Sequence, residues 1–295
     1  MIPIILDTDI GPDCDDAGAL ALLHILAKDI PAHLLAVTNC TSNPYGNGAI
    51  DVINRRYGKD DIPIGMYDKS GFLWDEVSEK YNKALCMNYE NRFRDSVAQN
   101  AALHAPKALD VLKTALIEAE DSSVTFIAIG PLNNLADLIR DEDGFKLVLQ
   151  KVKLLATMSC GMNQIEWNIE MDIKSAQEVY EKWPTPIITT PFETGVNIIT
   201  GVDFCGLSSD HPVRLAYRLF NDGKDGIGRS SWDLTSVWVA LKGAEPFFKL
   251  TESHDVSIDD DGRAIYKPNE SGKVRFLLNK MSEEEISREI DKLWC

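Results

Sequence analysis

Apolar and polar positions change period along this 295-residue chain, and the changes mark alternating strands and helices through roughly the first two hundred residues. Short apolar runs at Pro3–Leu6, His33–Val37, Ile62–Gly65, Val124–Ile129, Lys153–Met158 and Ile187–Thr190 read as strands, the second ending at Thr38-Asn39. Helical spacing covers Ala17–Lys28, Ala49–Tyr57, Lys107–Glu120, Leu132–Arg140 and Ser175–Trp183, then Pro212–Phe220 and Leu234–Leu241. The first of these is apolar nearly all round, which predicts an interior helix and makes His24 a satisfied core histidine. Residues 66–105 are polar, aromatic and poorly periodic, as expected of a long loop or irregular helices lying over the sheet. Residues 251–277 predict a hairpin carrying Val256–Ile258 and Val274–Phe276. The capping box Ser282–Glu285 then opens a terminal helix with Ile286, Ile290 and Leu293 on one face. The expected architecture is one α/β domain over residues 1–295, with a mostly parallel central sheet flanked by helices. Residues 251–295 would be a hairpin and helix appended to it.

Composition narrows the partners more than the fold. Hydrophobic residues make up 44% of the chain, enough for a sizeable core, while the net charge of −16 argues against nucleic acid or an anionic membrane as a partner. No run approaches the length of a membrane span, and Met1 leads straight into a strand with no signal-peptide pattern. The six cysteines show no CxxC or zinc spacing, so they read as reduced, mostly buried residues of a cytoplasmic protein.

The chemistry concentrates at the first strand-to-helix turn. Asp7, Asp9, Asp13, Asp15 and Asp16 crowd five carboxylates into ten residues. Charges this close repel unless a cation or strong donors neutralise them, and oxygen ligands without thiolate or imidazole suit Ca²⁺ or Mg²⁺. The plainer alternative is an Asx-type turn capping the helix, which one or two aspartates would satisfy but five do not require. Ligands of open α/β sheets bind beyond the carboxyl ends of the strands. That rule adds Asn39, Ile129-Gly130, the segment Ser159–Asn168 and Asp233 to the same rim.

With those residues assembled, the chain resembles the inosine-uridine preferring nucleoside hydrolase family. Asp7-Thr-Asp9-Ile-Gly11 followed by Asp15-Asp16-Ala17 is similar to its N-terminal signature. Ile129-Gly130-Pro131-Leu132-Asn133-Asn134, Glu166-Trp167-Asn168-Ile169 with Asp172, and Ser231-Trp232-Asp233 match later segments in order over residues 1 to 240. The resemblance implies a nucleoside hydrolase fold holding one Ca²⁺ and releasing base and ribose from a small-molecule nucleoside, in purine or pyrimidine salvage. It would place Asp9, Asp16, Asp233 and the main-chain carbonyl of Ile129 on the metal, with Asp9 also the general base. Asp15, Asn39, Asn163, Glu166, Asn168 and Trp232 would contact substrate. It also implies a homo-oligomer, dimeric or tetrameric. The physical fit is direct, because cleaving a C1′–N bond builds positive charge on the ribose and an acidic rim complements that charge.

Two departures stand out. Asp13 and Cys14 are inserted before the aspartate pair, so Asp13 either bulges away or displaces a ligand. Trp232 stands where the inosine-uridine members carry a histidine suited to protonate the leaving base, and no histidine-bearing loop occurs in residues 66–80. Trp232 could stack on a base or simply pack beside Asp233. His211 could supply an acid, or could cap its helix. Trp74, Tyr81 and Trp167 are further candidates for a base pocket. The departures leave a second reading open, a ribose or nucleoside binding protein that has lost catalysis. A phosphatase built on Asp7-x-Asp9 would leave Asp15-Asp16 and Glu166-x-Asn168 unexplained.

Overall fold

A computed structural model describes residues 1–75, 78–99 and 105–295. In chain order these form β1 (Ile2–Thr8), α1 (Asp15–Leu26), β2 (Ala32–Asn39), α2 (Pro44–Arg56), β3 (Ile64–Met66), α3 (Asn82–Asn88), α4 (Arg94–Ala98) and α5 (Ala108–Glu118). Then follow β4 (Val124–Ala128), α6 (Asn133–Arg140), α7 (Glu142–Lys151), β5 (Val152–Met158), α8 (Trp167–Met171), α9 (Ile173–Lys182), β6 (Ile187–Thr190) and α10 (Phe192–Gly195). The chain ends through β7 (Ile199–Thr200), α11 (Pro212–Phe220), β8 (Arg229–Ser230), α12 (Trp232–Lys242), β9 (Phe248–Leu250), β10 (His254–Ile258), β11 (Ala264–Pro268), β12 (Val274–Asn279) and α13 (Glu283–Asp291).

The main sheet runs β11-β10-β12-β6-β5-β4-β1-β2-β3 and is parallel from β12 to β3, with β9 paired to β12. Strand order reverses between β1 and β4, and a crevice opens at such a switch point. The register there is level, with Asp7 opposite both Thr38 and Ala128, so the residues after β1 and β4 emerge side by side. Alternation along β1 fills both faces. Ile4 and Leu6 join a core with α1, α2, α11 and α12, while Ile5 joins a core with α5, α6 and α9. Helix α1 is buried at every residue except Ile25, as its all-round apolar pattern predicts. His24 within it bonds Asn54 across to α2.

The alternating pattern and the parallel sheet match the expected fold class, and four local expectations change. Helix α2 begins at Pro44 rather than Ala49, because Asn43 caps it through the Tyr45 N–H and Pro44 fits the first helical position. Helix α7 adds to the expected helices, its start signal being Asp141, which accepts from Gly144 N–H. The hairpin of the C-terminal segment pairs β10 with β11, not residues 256–258 with 274–276. Strand β12 instead enters the main sheet parallel to β6, where Val274, Phe276 and Leu277 are buried. The cysteines are not all reduced, since Cys205 and Cys295 form a disulfide across a separation of 90 residues with Cα atoms 5.3 Å apart. Only the folded path of the chain brings that pair together. Cys14, Cys40, Cys86 and Cys160 are free and buried. Among the described residues, no helix is long and apolar enough to cross a membrane.

Candidate active site

A cavity of about 540 Å³ opens at the switch point, lined at one end by Asp9, Asp15, Asp16, Ile129, Glu166, Asn168 and Asp233. Each of these polar side chains is buried and each is placed by a local rule. Asp9 follows β1, and Ile129 follows β4 beside it, with Ile129 N–H donating to Asp7 O at 2.9 Å. Gly130 makes this closeness possible, since a Cβ there would sit 2.8 Å from Asp9 Oδ1 and 2.7 Å from Cys40 Sγ. Asp15 and Asp16 are the first residues of α1, and the Thr8 hydroxyl donates to Asp16 Oδ1. Asp15 also caps α12 from outside that helix. Its Oδ2 accepts from the N–H groups of Trp232 and Asp233, each at 3.1 Å, which satisfies donors that Ser231 leaves unbonded.

Opposite the aspartates, Glu166 caps α8 by accepting from Asn168 N–H at 2.8 Å and Ile169 N–H at 3.2 Å. The Asn168 amide in turn donates to Met158 O at 3.1 Å. Asp7 stays behind the rim, where its Oδ1 accepts from Thr38 at 2.5 Å and Asn134 at 2.8 Å.

Oxygens of Asp15, Asp16 and Asp233 all lie within 4.8 Å of one another. Burial, reinforced by the neighbouring carboxylates, pushes all three well above the usual carboxylate range. Burial also lifts Asp9 to about 7 and Glu166 to about 8. Buried carboxylates packed this closely fit a hard divalent cation, which would return them to the charged state.

The other end of the cavity has a different character. Trp232, Phe192, Phe220, Trp167, Met171, Leu73, Lys80, Asp13 and Arg229 line it. Asp13 takes a two-pronged ion pair from Arg229, at 2.6 Å to Nη2 and 2.9 Å to Nε. The guanidinium lies 5.0 Å from the Phe220 ring centre and 5.1 Å from that of Trp232. The Trp232 indole N–H donates to Phe192 O at 2.9 Å, and the two rings lie 5.5 Å apart. The turn itself is clamped by the irregular stretch, with Tyr81 O–H donating to Asp13 O and Asn82 to Ile10 O. Gly11, at φ +135°, gives Asn82 room to approach.

The family model described as inosine-uridine preferring nucleoside hydrolase matches residues 4–264. The chain belongs to this family. No match is found among curated protein sequences. Solved structures share the fold of this nucleoside hydrolase family member at low identity. An inosine-uridine preferring nucleoside hydrolase from Bacillus anthracis superposes with a TM-score of 0.73 at 16% identity, over 100% of this chain and 99% of that one. An inosine-guanosine nucleoside hydrolase gives 0.72 at 20%, over 99% and 98%. The type III effector XopQ, in a structure complexed with adenosine diphosphate ribose, gives 0.73 at 14%, over 99% and 93%.

Against the expected residues, the fold of this family member gathers Asp9, Asp15, Asp16, Ile129, Glu166, Asn168, Trp232 and Asp233 around one cavity. Asn39 and Asn163 are not in its lining. The Asn39 carboxamide is spent inside its own turn on Thr41 and Asn43, and Asn163 is exposed with its backbone bonded to Glu193. Tyr81 braces the turn rather than a base pocket, Trp74 is exposed outside the lining, and His211 caps α11. Of the expected long loop 66–105, residues 76, 77 and 100–104 lie outside the described residues, and the rest holds α3 and α4. Arg229 was not anticipated. Its only sequence signal was a lone cation four residues before Asp233, opposite an unassigned Asp13.

Proposed function

We propose that this chain is an N-ribohydrolase that cleaves the N-glycosidic bond of a ribonucleoside or related N-riboside, releasing base and ribose, with Ca²⁺ as its cofactor. One observation carries the reading: four buried aspartates from three separate segments meet, with Glu166 and Asn168, in a single cavity at the switch point. Asp16 and Asp233 would hold the cation, with Asp9 and the Ile129 carbonyl beside them. Asp15, with Oδ2 spent on α12, has its other oxygen left for the ribose diol or the same ion. Ca²⁺ bound there supplies two things, orientation of the diol and acidification of a water.

The residues of the chain do the remaining work. Asp9, kept ionised beside the cation, would take the proton of the attacking water. Glu166 and Asn168 hold the sugar from the opposite wall, and the summed negative charge favours the cationic ribose of the transition state. Relatives described as acting on inosine, uridine or guanosine, and one described with adenosine diphosphate ribose, support a ribose-bearing substrate.

A nucleoside panel monitored for base release in Ca²⁺ tests the reading. Turnover that falls to background in a folded Asp9→Ala variant is expected, and equal rates in parent and variant would sink it. One observation favours the binding-protein alternative, namely that Trp232 replaces a histidine and its N–H is already committed to Phe192. Titration showing tight ribose binding with no base release at high protein concentration would select that alternative.

A further inference from the structure

We propose that Arg229, locked by the inserted Asp13 and flanked by Phe220 and Trp232, is the specificity-determining contact for the leaving group, which departs as an anion beside its guanidinium. The proposal rests on the ribohydrolase reading of the same cavity. Arg229 springs from β8, four residues before the aspartate Asp233, and its guanidinium lies 5.1 Å from the ring centre of Trp232, whose backbone N–H is bound to Asp15. The end of the cavity carrying Asp15, Asp16, Asp233, Glu166 and Asn168 suits a polyol and a developing cation. The aromatic end carrying Arg229 suits a flat group that gains negative charge.

Geometry fixes the arginine for that task. Nε and Nη2 are bound to Asp13 at 2.6–3.0 Å, while Nη1 has no hydrogen-bond partner among the described residues. The side chain keeps 34% of its exposure, so an edge of the fork remains open to the cavity it lines. Planar, pre-oriented and permanently charged, a guanidinium held in this way donates to a carbonyl or anionic ring nitrogen without reorganising. Trp232 cannot donate its indole proton to the leaving group while Phe192 O accepts it, and His211 is turned to its own helix. The cation at this end takes over what an acid would otherwise do. In the step itself the C1′–N bond breaks with its electron pair passing to the base nitrogen, and the water oxygen bonds to C1′. The water's proton passes to Asp9, and the base leaves as an anion that takes a proton from solvent afterwards.

The test compares substrates that differ only in how much help the leaving group needs. Parent, Arg229→Gln and Arg229→Lys proteins are assayed on inosine, uridine and p-nitrophenyl β-riboside, with folding checked by circular dichroism. The expected result for Arg229→Gln is a fall in kcat/KM on the order of 10²-fold for the nucleosides and less than about 5-fold for the nitrophenyl riboside. Arg229→Lys should recover only part of the loss, because an ammonium lacks the fork. Equal falls on all three substrates, or no fall on any, would overturn the proposal, the first by showing that Arg229 merely supports the turn. If the parent hydrolyses none of them, the ribohydrolase reading fails and titration decides the arginine separately. Inosine binding weakened about 10-fold or more in Arg229→Gln with ribose binding unchanged supports the contact, and unchanged inosine binding refutes it.

Discussion

The two ends of the cavity are built by opposite means. The acidic end is assembled from residues that each obey a short-range rule: a strand terminus for Asp9 and Ile129, the first turn of a helix for Asp15, Asp16 and Asp233, a helix cap for Glu166. The aromatic, cationic end depends on one long-range pair, Asp13 with Arg229, separated by 216 residues and flanked by rings from α11 and α12. Local rules thus build the acidic end, whereas the other end rests on one contact between segments far apart in the chain. Differences between the ends in response to mutation should therefore be large in chemistry and small in stability.

The largest effect should come from the acidic end. Asp9→Asn is expected to lower kcat by about 10²–10⁴-fold, the usual worth of a general base, with the substrate KM nearly unchanged. In chelator the melting temperature should stay level or rise, because a buried acid without a cationic partner is replaced by a neutral group. A marked loss of stability alongside the lost activity would mean that Asp9 is a structural member of the turn.

Next in size is the response to Ca²⁺. At a concentration 100 times its dissociation constant, a ligand bound only by the folded state adds about 2.7 kcal/mol, a rise of roughly 5 °C for a chain of this size. Asp233→Asn and Asp16→Asn should each abolish the rise, while Arg229→Gln should leave it intact. Scanning fluorimetry with and without chelator reads this directly. A Ca²⁺ shift lost in Arg229→Gln would dissolve the distinction between the ends.

The same contrast explains what was legible from residues alone. Asp15-Asp16 before an apolar helix and Ile129-Gly130 after an apolar run are contiguous signals, so the mostly parallel sheet and the gathering of acidic residues at its carboxyl rim followed from pattern and topology. The Arg229 pair, the Cys205–Cys295 disulfide and the parallel pairing of β12 with β6 leave no such trace, because each joins segments far apart in the chain. Asn39 illustrates the converse error. It stands at a strand end as the rule requires, yet the turn to Asn43 consumes its amide. Position at the rim is readable, but side-chain commitment depends on what the neighbouring turn needs.

A third effect is smaller and separates the ends again. Asp13→Asn leaves the turn in place but loosens the guanidinium, so nucleoside kcat/KM should fall by about 5- to 30-fold, short of the loss in Arg229→Gln. The pair is partly exposed, 24% for Asp13 and 34% for Arg229, so its contribution to stability is about 1 kcal/mol or less. A melting temperature lowered by many degrees in Asp13→Asn would instead make this pair part of the scaffold.

The finest test uses pH, and its sign follows from the acidic end alone. Without a cation, Asp7 and Asp9 titrate at about 7 and Glu166 at about 8, against 3.8 and 4.5 for the free groups, because burial penalises their charged forms. An acid raised in this way costs the folded state stability at high pH, and the cost is relieved as pH falls through its folded value toward the unfolded one. His24 and His211 act in the opposite sense. Burial holds both at about 4, so they weaken the fold as pH falls from 6.5 toward 4. A bound cation removes the part of the first contribution that comes from Asp9, and with it that of Asp15, Asp16 and Asp233, since it keeps those carboxylates charged and paired, and leaves the rest untouched. The Ca²⁺-induced rise in melting temperature should therefore be larger at pH 8 than at pH 6, where protons compete for the same oxygens. Because the histidine contribution is common to both samples, it cancels in the difference between Ca²⁺ and chelator at each pH. A shift equal at both values would place the ion somewhere other than this cluster.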